Sequence, residues 1–296
     1  MPLRIGYVRE HFSSPLLQFA AEDNGKTITL VECPSGTGQL ISRLTKDEID
    51  VAISFRLYSA LTDPLISGIA NGSNKYKLIG SYVTTPLNWA VATGINSKYE
   101  KISDLKDTTI GISRLGSGSQ TMAYVMGFQQ GWSSESMKFQ VNNDIEGLIR
   151  SVNDGSTSAF MWEWFTTKPW VLSGEIRFIG SVLTPWPSWL VAAQPSADAE
   201  ALKEFLTTLS GYVRTFNSEE SRATKNVDFI KAKFGYAEED IIAWMKTVGY
   251  PEDCLAIPKN VIMETLSVLE KAGVVKAPEG GFAVENFIEP KVVKLT

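Results

Sequence analysis

Histidine occurs once in this 296-residue chain, at His11, and cysteine twice, at Cys33 and Cys254. The cysteines stand far apart and outside metal-ligand spacing, so neither a zinc site nor a disulfide framework is supported. A Ser-His-Asp or Cys-His arrangement must use His11 or do without histidine. No Gly-x-Ser-x-Gly elbow exists, since Gly116-Ser117-Gly118-Ser119 has the wrong order. Gly25-Lys26-Thr27 resembles the end of a phosphate-binding loop, but Ala20 stands where its first glycine is needed. No G-x-G-x-x-G follows the first predicted strand, so dinucleotide binding is unsupported. The net charge of −5 leaves no excess of basic residues for a nucleic-acid partner. No apolar run approaches the roughly 18 residues of a membrane span. The N-terminus, MPLRIGYVRE, enters a strand without an apolar leader region, so the expectation is a cytoplasmic protein or one whose leader was removed. The sequon Asn71-Gly72-Ser73 matters only in the second case. Hydrophobic content of 44% and charged content of 21% are ordinary for a soluble globular chain with room for two cores.

What the chain does contain is an internal copy. Residues 77–92 read KLIGSYVTTPLNWAVA and residues 177–192 read RFIGSVLTPWPSWLVA. Ile79/Ile179, Gly80/Gly180, Ser81/Ser181, Thr84/Thr184, Trp89/Trp189, Val91/Val191 and Ala92/Ala192 coincide without gaps. Such a repeat predicts two similar halves, each ending in the same extended segment. Two such segments suit a chain that crosses between lobes and returns, leaving a cleft for a small molecule. The copy reaches further back, because residues 3–9 (LRIGYVR) and 108–114 (TTIGISR) share an Ile-Gly-x-x-Arg core. After each come helical spacing, a β-like run (27–32 and 137–141), a second helix (around 40–44 and 148–152) and a short apolar strand (51–54 and 159–162). Both halves read β-α-β-α-β, which predicts a mostly parallel sheet flanked by helices. The period is too long for a solenoid, whose units run about 20–50 residues. From Ala197 onward the sequence turns into amphipathic helices, with Asp198, Ser218 and Glu238 near starts and Gly235, Gly249 and Gly273 near stops. That tail is expected to pack on the first lobe and to carry no site.

Ligands of open α/β sheets bind beyond the carboxyl ends of the strands. The loop from Arg9 through His11 to Ser13, Ser14 and Pro15 lies there, with either serine able to cap and Pro15 suited to the first helical turn. Ser35, Gly36, Thr37 and Gly38 precede a helix near Gln39, and Arg114, Gly116, Ser117, Gly118 and Ser119 precede another through Met122. Asn142-Asn143-Asp144 precede the helix through Ile149. Hydroxyls and backbone N–H groups at helix starts suit an anionic group. Ordinary capping is the alternative for each loop taken singly. Arg9, Arg56 and Arg114 all follow strands and could grip an anion in bidentate fashion, or lie solvated at the surface. Trp162 and Glu163 end the matching strand of the second half, where an aromatic beside a carboxylate would suit a ring bearing amino groups. Among the tryptophans, Trp186, between Pro185 and Pro187, is the one expected to line the cleft. His11 reads as a cap or a ligand contact.

The stretch SGTGQLISRLTKDEIDVAIS (residues 35–54) resembles the helix-strand unit of type II periplasmic-binding-protein folds. Residues 102–123 resemble the start of their second lobe, and EEDIIAWMKTVGY resembles a C-terminal helix. The chain most resembles the branch of aliphatic-sulfonate, nitrate and thiamine-pyrimidine (NMT1/THI5-like) proteins, and within it a small fungal group, regarded as intracellular, typified by a Candida protein once considered a candidate thiamine biosynthesis enzyme. The resemblance implies an α/β, two-lobed fold, each lobe a mostly parallel sheet flanked by helices, joined by two crossover hinge strands. The segments 1–86 and 188–296 would form the first lobe and 87–187 the second. The hinge would run through residues 83–91 and 183–191, and the lobes would close on a small ligand. By position, Thr84, Asn88, Glu163 and Trp186 join Ser13, the 35–38 loop, Arg56 and the 114–119 loop as contacts. The fungal pyrimidine synthases of this fold use a lysine-bound pyridoxal phosphate, a histidine and a cysteine-rich iron motif. This chain has no cysteine cluster, so binding of an anionic or amphoteric metabolite, one related to the thiamine pyrimidine among them, leads. An enzyme of that pathway using a lysine or His11 is the alternative, and a regulatory protein keeping only the fold is a third reading. No cofactor, metal, nucleic acid or membrane partner is expected, and the oligomeric state is left open.

Overall fold

A computed structural model describes residues 1–34, 37–53 and 62–296. Each half of the chain builds one five-stranded sheet by the same sequence of elements. The first half runs β1 (Leu3–Tyr7), α1 (Ser14–Asp23), β2 (Ile28–Glu32), α2 (Thr37–Thr45), β3 (Val51–Ile53), α3 (Thr62–Ala70) and β4 (Lys77–Val83). The chain then crosses over as β5 (Asn88–Gly94). The second half repeats the pattern as β6 (Thr109–Ile112), α4 (Gly118–Gln129), β7 (Lys138–Val141), α5 (Ile145–Asn153), β8 (Ala159–Glu163), α6 (Trp164–Leu172) and β9 (Ile176–Leu183). It returns as β10 (Trp189–Ala193).

The strand orders are β2-β1-β3-β10-β4 and β7-β6-β8-β5-β9. In each sheet β1–β3 or β6–β8 pair in parallel, as the alternating pattern requires, and one strand runs against them. That strand is the one the other half sends across: β10 lies antiparallel between β3 and β4, and β5 antiparallel between β8 and β9. The repeated apolar run explains the exchange. Val91, Ala92, Val191 and Ala192 are fully buried, because both faces of an inserted strand are covered.

Helix ends follow from local chemistry. Ser117, Asp144 and Asp198 cap α4, α5 and α7 (Ala199–Asn217), each side chain accepting a backbone N–H of the first turn. Gly235, with φ 75°, takes the left-handed position that ends α8 (Asn226–Phe234). Two expectations change. Ser13 and Ser14 do not cap: their hydroxyls donate to the carbonyls of Val8 and His11 at 2.7 and 2.6 Å. Gly249 lies beyond the end of α9 (Glu238–Met245) and packs on the hinge instead, its N–H donating to Thr85 Oγ1 at 3.0 Å.

As the amphipathic pattern predicts, α7 through α10 (Lys259–Lys271) pack on the first sheet's helices, α7 against α1 and α10 against α3. The tail ends in a short parallel pair, β11 (Ala256–Ile257) and β12 (Lys294–Leu295). Leu78 of β4 exchanges backbone hydrogen bonds with Phe287 and Glu289, both 2.9 Å, so the outer edge of that strand is covered.

Candidate functional site

The two crossovers lie side by side. Between β4 and β5, and between β9 and β10, the connecting residues form a bonded waist. Leu87 N–H donates to Thr184 Oγ1 at 2.9 Å, and Thr184 N–H donates to Leu87 O at 3.0 Å. Both the N–H and the hydroxyl of Ser188 donate to Thr85 O, at 3.0 and 2.5 Å. Thr184 and its repeat partner Thr84 differ in use: the Thr184 hydroxyl is buried in the waist, whereas Thr84 is exposed and donates its N–H to Gly249 O.

Residues that follow parallel strands of the two halves meet beyond this waist. Gly38, in the first turn of α2, lies against Arg114, which follows β6: a Cβ built on Gly38 would stand 3.5 Å from Arg114 Nη2. The helix start of one half and the guanidinium of the other thus meet, both suited to negative charge. Ser117 and Ser119 support this loop from beneath. Their hydroxyls are buried and 2.8 Å apart, and Ser119 Oγ also accepts from Ser113 N–H at 3.1 Å. They hold the turn in shape, while Gly116, at φ 69°, makes its exposed bend and donates its N–H to Gln120 Oε1. Gly118 starts α4 and is buried. Ser35, Gly36 and Arg56 lie outside the described residues, as does the side chain of Thr37.

Two buried carboxyls are separated by the same one hundred positions as the repeat: Asp63 at the start of α3 and Glu163 at the start of α6. Asp63 belongs to the first half, and its carboxyl is bonded by its own backbone N–H and by the Thr121 hydroxyl of α4 in the second. Its Oδ1 has no partner among the described residues. Burial pushes its carboxyl up to about 7 even though the Thr121 hydroxyl favours the charged form. Glu163 is 6% exposed and caps α6, its Oε2 accepting the N–H of Thr166 at 2.7 Å. Burial pushes it too up to about 7, against the backbone bonds from Thr166 and Phe165.

Glu163 and Asn88 share a cavity of about 260 Å³ at the waist, walled by Phe12, Thr85, Leu87, Trp164, Phe165, Leu183, Trp244 and Thr247. Both halves and the tail contribute. Of the expected contacts, the structure therefore brings together Asn88 and Glu163 here, and Gly38 and Arg114 above.

Others go elsewhere. Trp186 is 1% exposed, so the ring expected to line the cleft is core: the bend between two prolines, tied by Thr184 Oγ1 to Trp186 O at 2.8 Å, turns it inward. His11 is 2% exposed among Phe12, Tyr236 and Trp244, and its two ring nitrogens have no hydrogen-bond partner among the described residues. Burial lowers its pKa to about 3, so the imidazole is neutral at ordinary pH. Ser13 is buried with its hydroxyl committed to Val8 O. Arg9 is exposed and donates to Lys233 O at the end of α8. Asp63, Phe12, Thr85, Trp244 and Thr247 were not singled out by sequence. The one-hundred-residue offset could have found Asp63 once Glu163 was chosen; Trp244 and Thr247 carry no such signal.

Among the described residues no group of His, Cys, Asp or Glu could hold a metal ion, and no helix is long and apolar enough to cross a membrane. Both cysteines are buried and free.

A search of curated protein sequences found no match. A family model described as Ca3427-like PBP matches residues 89–182. Among solved structures, the Candida albicans CA3427 product is 30% identical over 100% of this chain and 98% of its own, with a TM-score of 0.86. It is described as defining a new family with the generic periplasmic binding protein fold. The alkanesulfonate-binding protein SsuA of Xanthomonas axonopodis pv. citri, bound to MOPS, is 15% identical over 100% of this chain and 98% of its own, with a TM-score of 0.74. The Escherichia coli aliphatic sulphonate binding protein SsuA is 15% identical, covering 98% of each chain, with a TM-score of 0.72. With that fold built from two exchanged halves and a match to the Candida protein along its whole length, the chain belongs to the CA3427-like family of periplasmic-binding-protein-fold proteins.

Proposed function

We propose that this protein binds a small anionic or amphoteric metabolite between its two lobes and closes on it by bending at the waist. The lobes divide at residues 86/87 and 187/188, and the closing strands are the two crossovers. The observation that carries this reading is the approach of Gly38 to Arg114 across the interlobe space, at 3.5 Å from a built Cβ to Nη2. A helix start and a guanidinium from opposite lobes converge there, and either alone would be an ordinary surface feature. The sulfonate-binding structures of the same fold point to the same charge class of ligand. Compounds related to the thiamine pyrimidine belong to the amphoteric part of that class.

The test is a melting-temperature screen of short-chain sulfonates, carboxylates and phosphates, followed by titration of any hit. A ligand at one hundred times its Kd stabilises by about 2.7 kcal/mol, a readily measured rise. Arg114→Ala should weaken the hit at least about tenfold, the scale of a lost charge-assisted hydrogen bond. Arg150→Ala, on an exposed helix face, should leave it unchanged. A screen with no hits, or a hit indifferent to Arg114, would overturn the reading.

A further inference from the structure

His11, the single histidine of the chain, sits where the two halves touch. A small void of about 10 Å³ lies beside its ring, walled by Ile230, Tyr236, Asp240, Ile241 and Trp244 of the tail and by Phe165 of α6. Among the described residues, Phe165 is the one wall that the second half contributes. Phe165 also walls the waist cavity of about 260 Å³, as do Phe12 and Trp244. The phenyl ring thus stands between His11 and a space roomy enough for water.

One turn along α6 from Phe165, Lys168 forms an ion pair with Asp240 of α9. Residues three apart lie on one helix face, so Phe165 and Lys168 reach the tail together. On the other side of the contact, Asp240 and Trp244 are four apart on α9 and share a face for the same reason. The tail packs on the first sheet's helices and α6 on the strands of the second sheet, so this contact ties one half to the other. Lys168 is 29% and Asp240 15% exposed, so salt screens the pair less than one on the open surface. Arg4–Asp50, Lys231–Glu238 and Lys294–Asp253, by contrast, stay within the first half and its tail.

The enclosure decides what His11 can do. Its ring nitrogens have no hydrogen-bond partner among the described residues, and burial favours the neutral ring with no neighbouring charge to offset it. The titratable groups around it are few. Tyr236 meets the imidazole edge-on at 5.0 Å, and Asp240 is engaged by Lys168. Glu10, next in the chain, is buried, and Arg9 is turned to Lys233 O. Phe12, Ile230, Ile241 and Trp244 carry no charge. An imidazolium therefore needs water, and water reaches the ring when Phe165 withdraws with α6. The same movement parts Lys168 from Asp240.

We propose that Phe165 and Lys168 of α6 clasp the tail and hold the lobes closed, and that proton uptake by His11 releases the clasp. The inference rests on the lobes bending at the waist, as proposed above, and on no particular ligand. Acid favours the open form because that form binds a proton which the closed form excludes. The shift amounts to at most about tenfold for each pH unit below about 6.5, the ordinary histidine value. Asp63 and Glu163, held near 7 by burial, pull the other way wherever opening wets them, so a His11 variant isolates the effect.

The test uses spin labels on cysteines introduced at one exposed position in each lobe; Cys33 and Cys254 are buried and stay in place. Near neutral pH, Lys168→Gln should shift the equilibrium toward the longer interlobe distance about two- to fivefold, the scale of a partly exposed ion pair. Phe165→Ala should shift it about tenfold, the scale of a half-buried aromatic ring. From about pH 6.5 to 4.5 the wild type should open further than His11→Phe, which keeps a ring and takes no proton. The single histidine gives one set of ring NMR signals, which should titrate below about 5.5 in the wild type and near 6.5 in Phe165→Ala. Unchanged distances in both folded clasp variants, a wild-type histidine titrating near about 6.5, or an equal acid response in His11→Phe would overturn the clasp. If methanesulfonate moved the labels while acid and the clasp variants did not, only this inference would fall. If acid and the variants moved them and no anion bound, the anion-binding reading would fall instead.

Discussion

Gly38 of the first lobe and Arg114 of the second meet, a Cβ built on the glycine standing 3.5 Å from Nη2 of the guanidinium. A Cβ at 3.5 Å is in ordinary contact, so Gly38→Ala should leave the lobes as they are. Gly38→Trp sets an indole against the guanidinium and is expected to displace it or part the lobes. Small-angle scattering should report a larger radius of gyration for Gly38→Trp than for wild type, and an unchanged radius for Gly38→Ala.

The two glycines of the repeat answer different constraints. A Cβ on Gly80 would lie 2.1 Å from the carbonyl oxygen of Cys254, which is backbone and cannot turn aside. On Gly180 it would meet Ile102 Cδ1 at 2.8 Å, the free end of a flexible side chain. Gly80→Ala should therefore cost about 1–3 kcal/mol, the usual penalty of overpacking, and Gly180→Ala a comparable amount, because its φ of 159° is one that L residues rarely adopt and Ile102 must shift as well. Denaturant melts of the two variants compare them directly.

Asp63 and Glu163 make folding depend on pH in one direction. With both carboxyls raised to about 7 in the folded chain, the folded state holds protons that the unfolded chain has released above about 4. Stability should fall as pH rises from about 4 to about 7 and level off beyond. The upper limit is about 1.4 kcal/mol for each pH unit in that window, per group. Asp63→Asn and Glu163→Gln should each flatten the decline in a series of chemical melts.

His11 works the opposite way. Its folded value of about 3 lies below the ordinary 6.5, so the unfolded chain takes up the proton first as pH falls. The stability linked to it is present above about 6.5 and is lost progressively toward 3. His11→Phe, in a setting already made of Phe12, Tyr236 and Trp244, should remove that acid sensitivity while the Asp63 and Glu163 contribution remains.

The repeat made the architecture legible before any coordinate. Val91, Ala92, Val191 and Ala192 read as a duplicated apolar run because each inserted strand is covered on both faces. The pairing that results, with each half lending a strand to the other sheet, is what a crossing chain must do if both crossings are alike. Helix caps at Asp144 and Asp198 were equally plain, since their chemistry is local. The site was legible only in part. Asp63 looks like any acidic residue in a first helical turn, and one of the groups that bonds its carboxyl is Thr121, 58 positions away in the other half. Trp244 satisfies the apolar stripe of α9 and would read as core alone, which it also is. Trp186 misled for the converse reason: a tryptophan between prolines reads as an exposed bend, and nothing local says which way the ring turns.

The fastening of Leu87 to Thr184 and of Thr85 to Ser188 has a mechanical result. Two ribbons stitched together should flex about a single line, so the expected motion of the halves is rocking rather than swivelling. Any occupant of the gap would then alter one molecular dimension while leaving distances inside each half unchanged, and a spin-label pair spanning the halves would shift where a pair within one half would not.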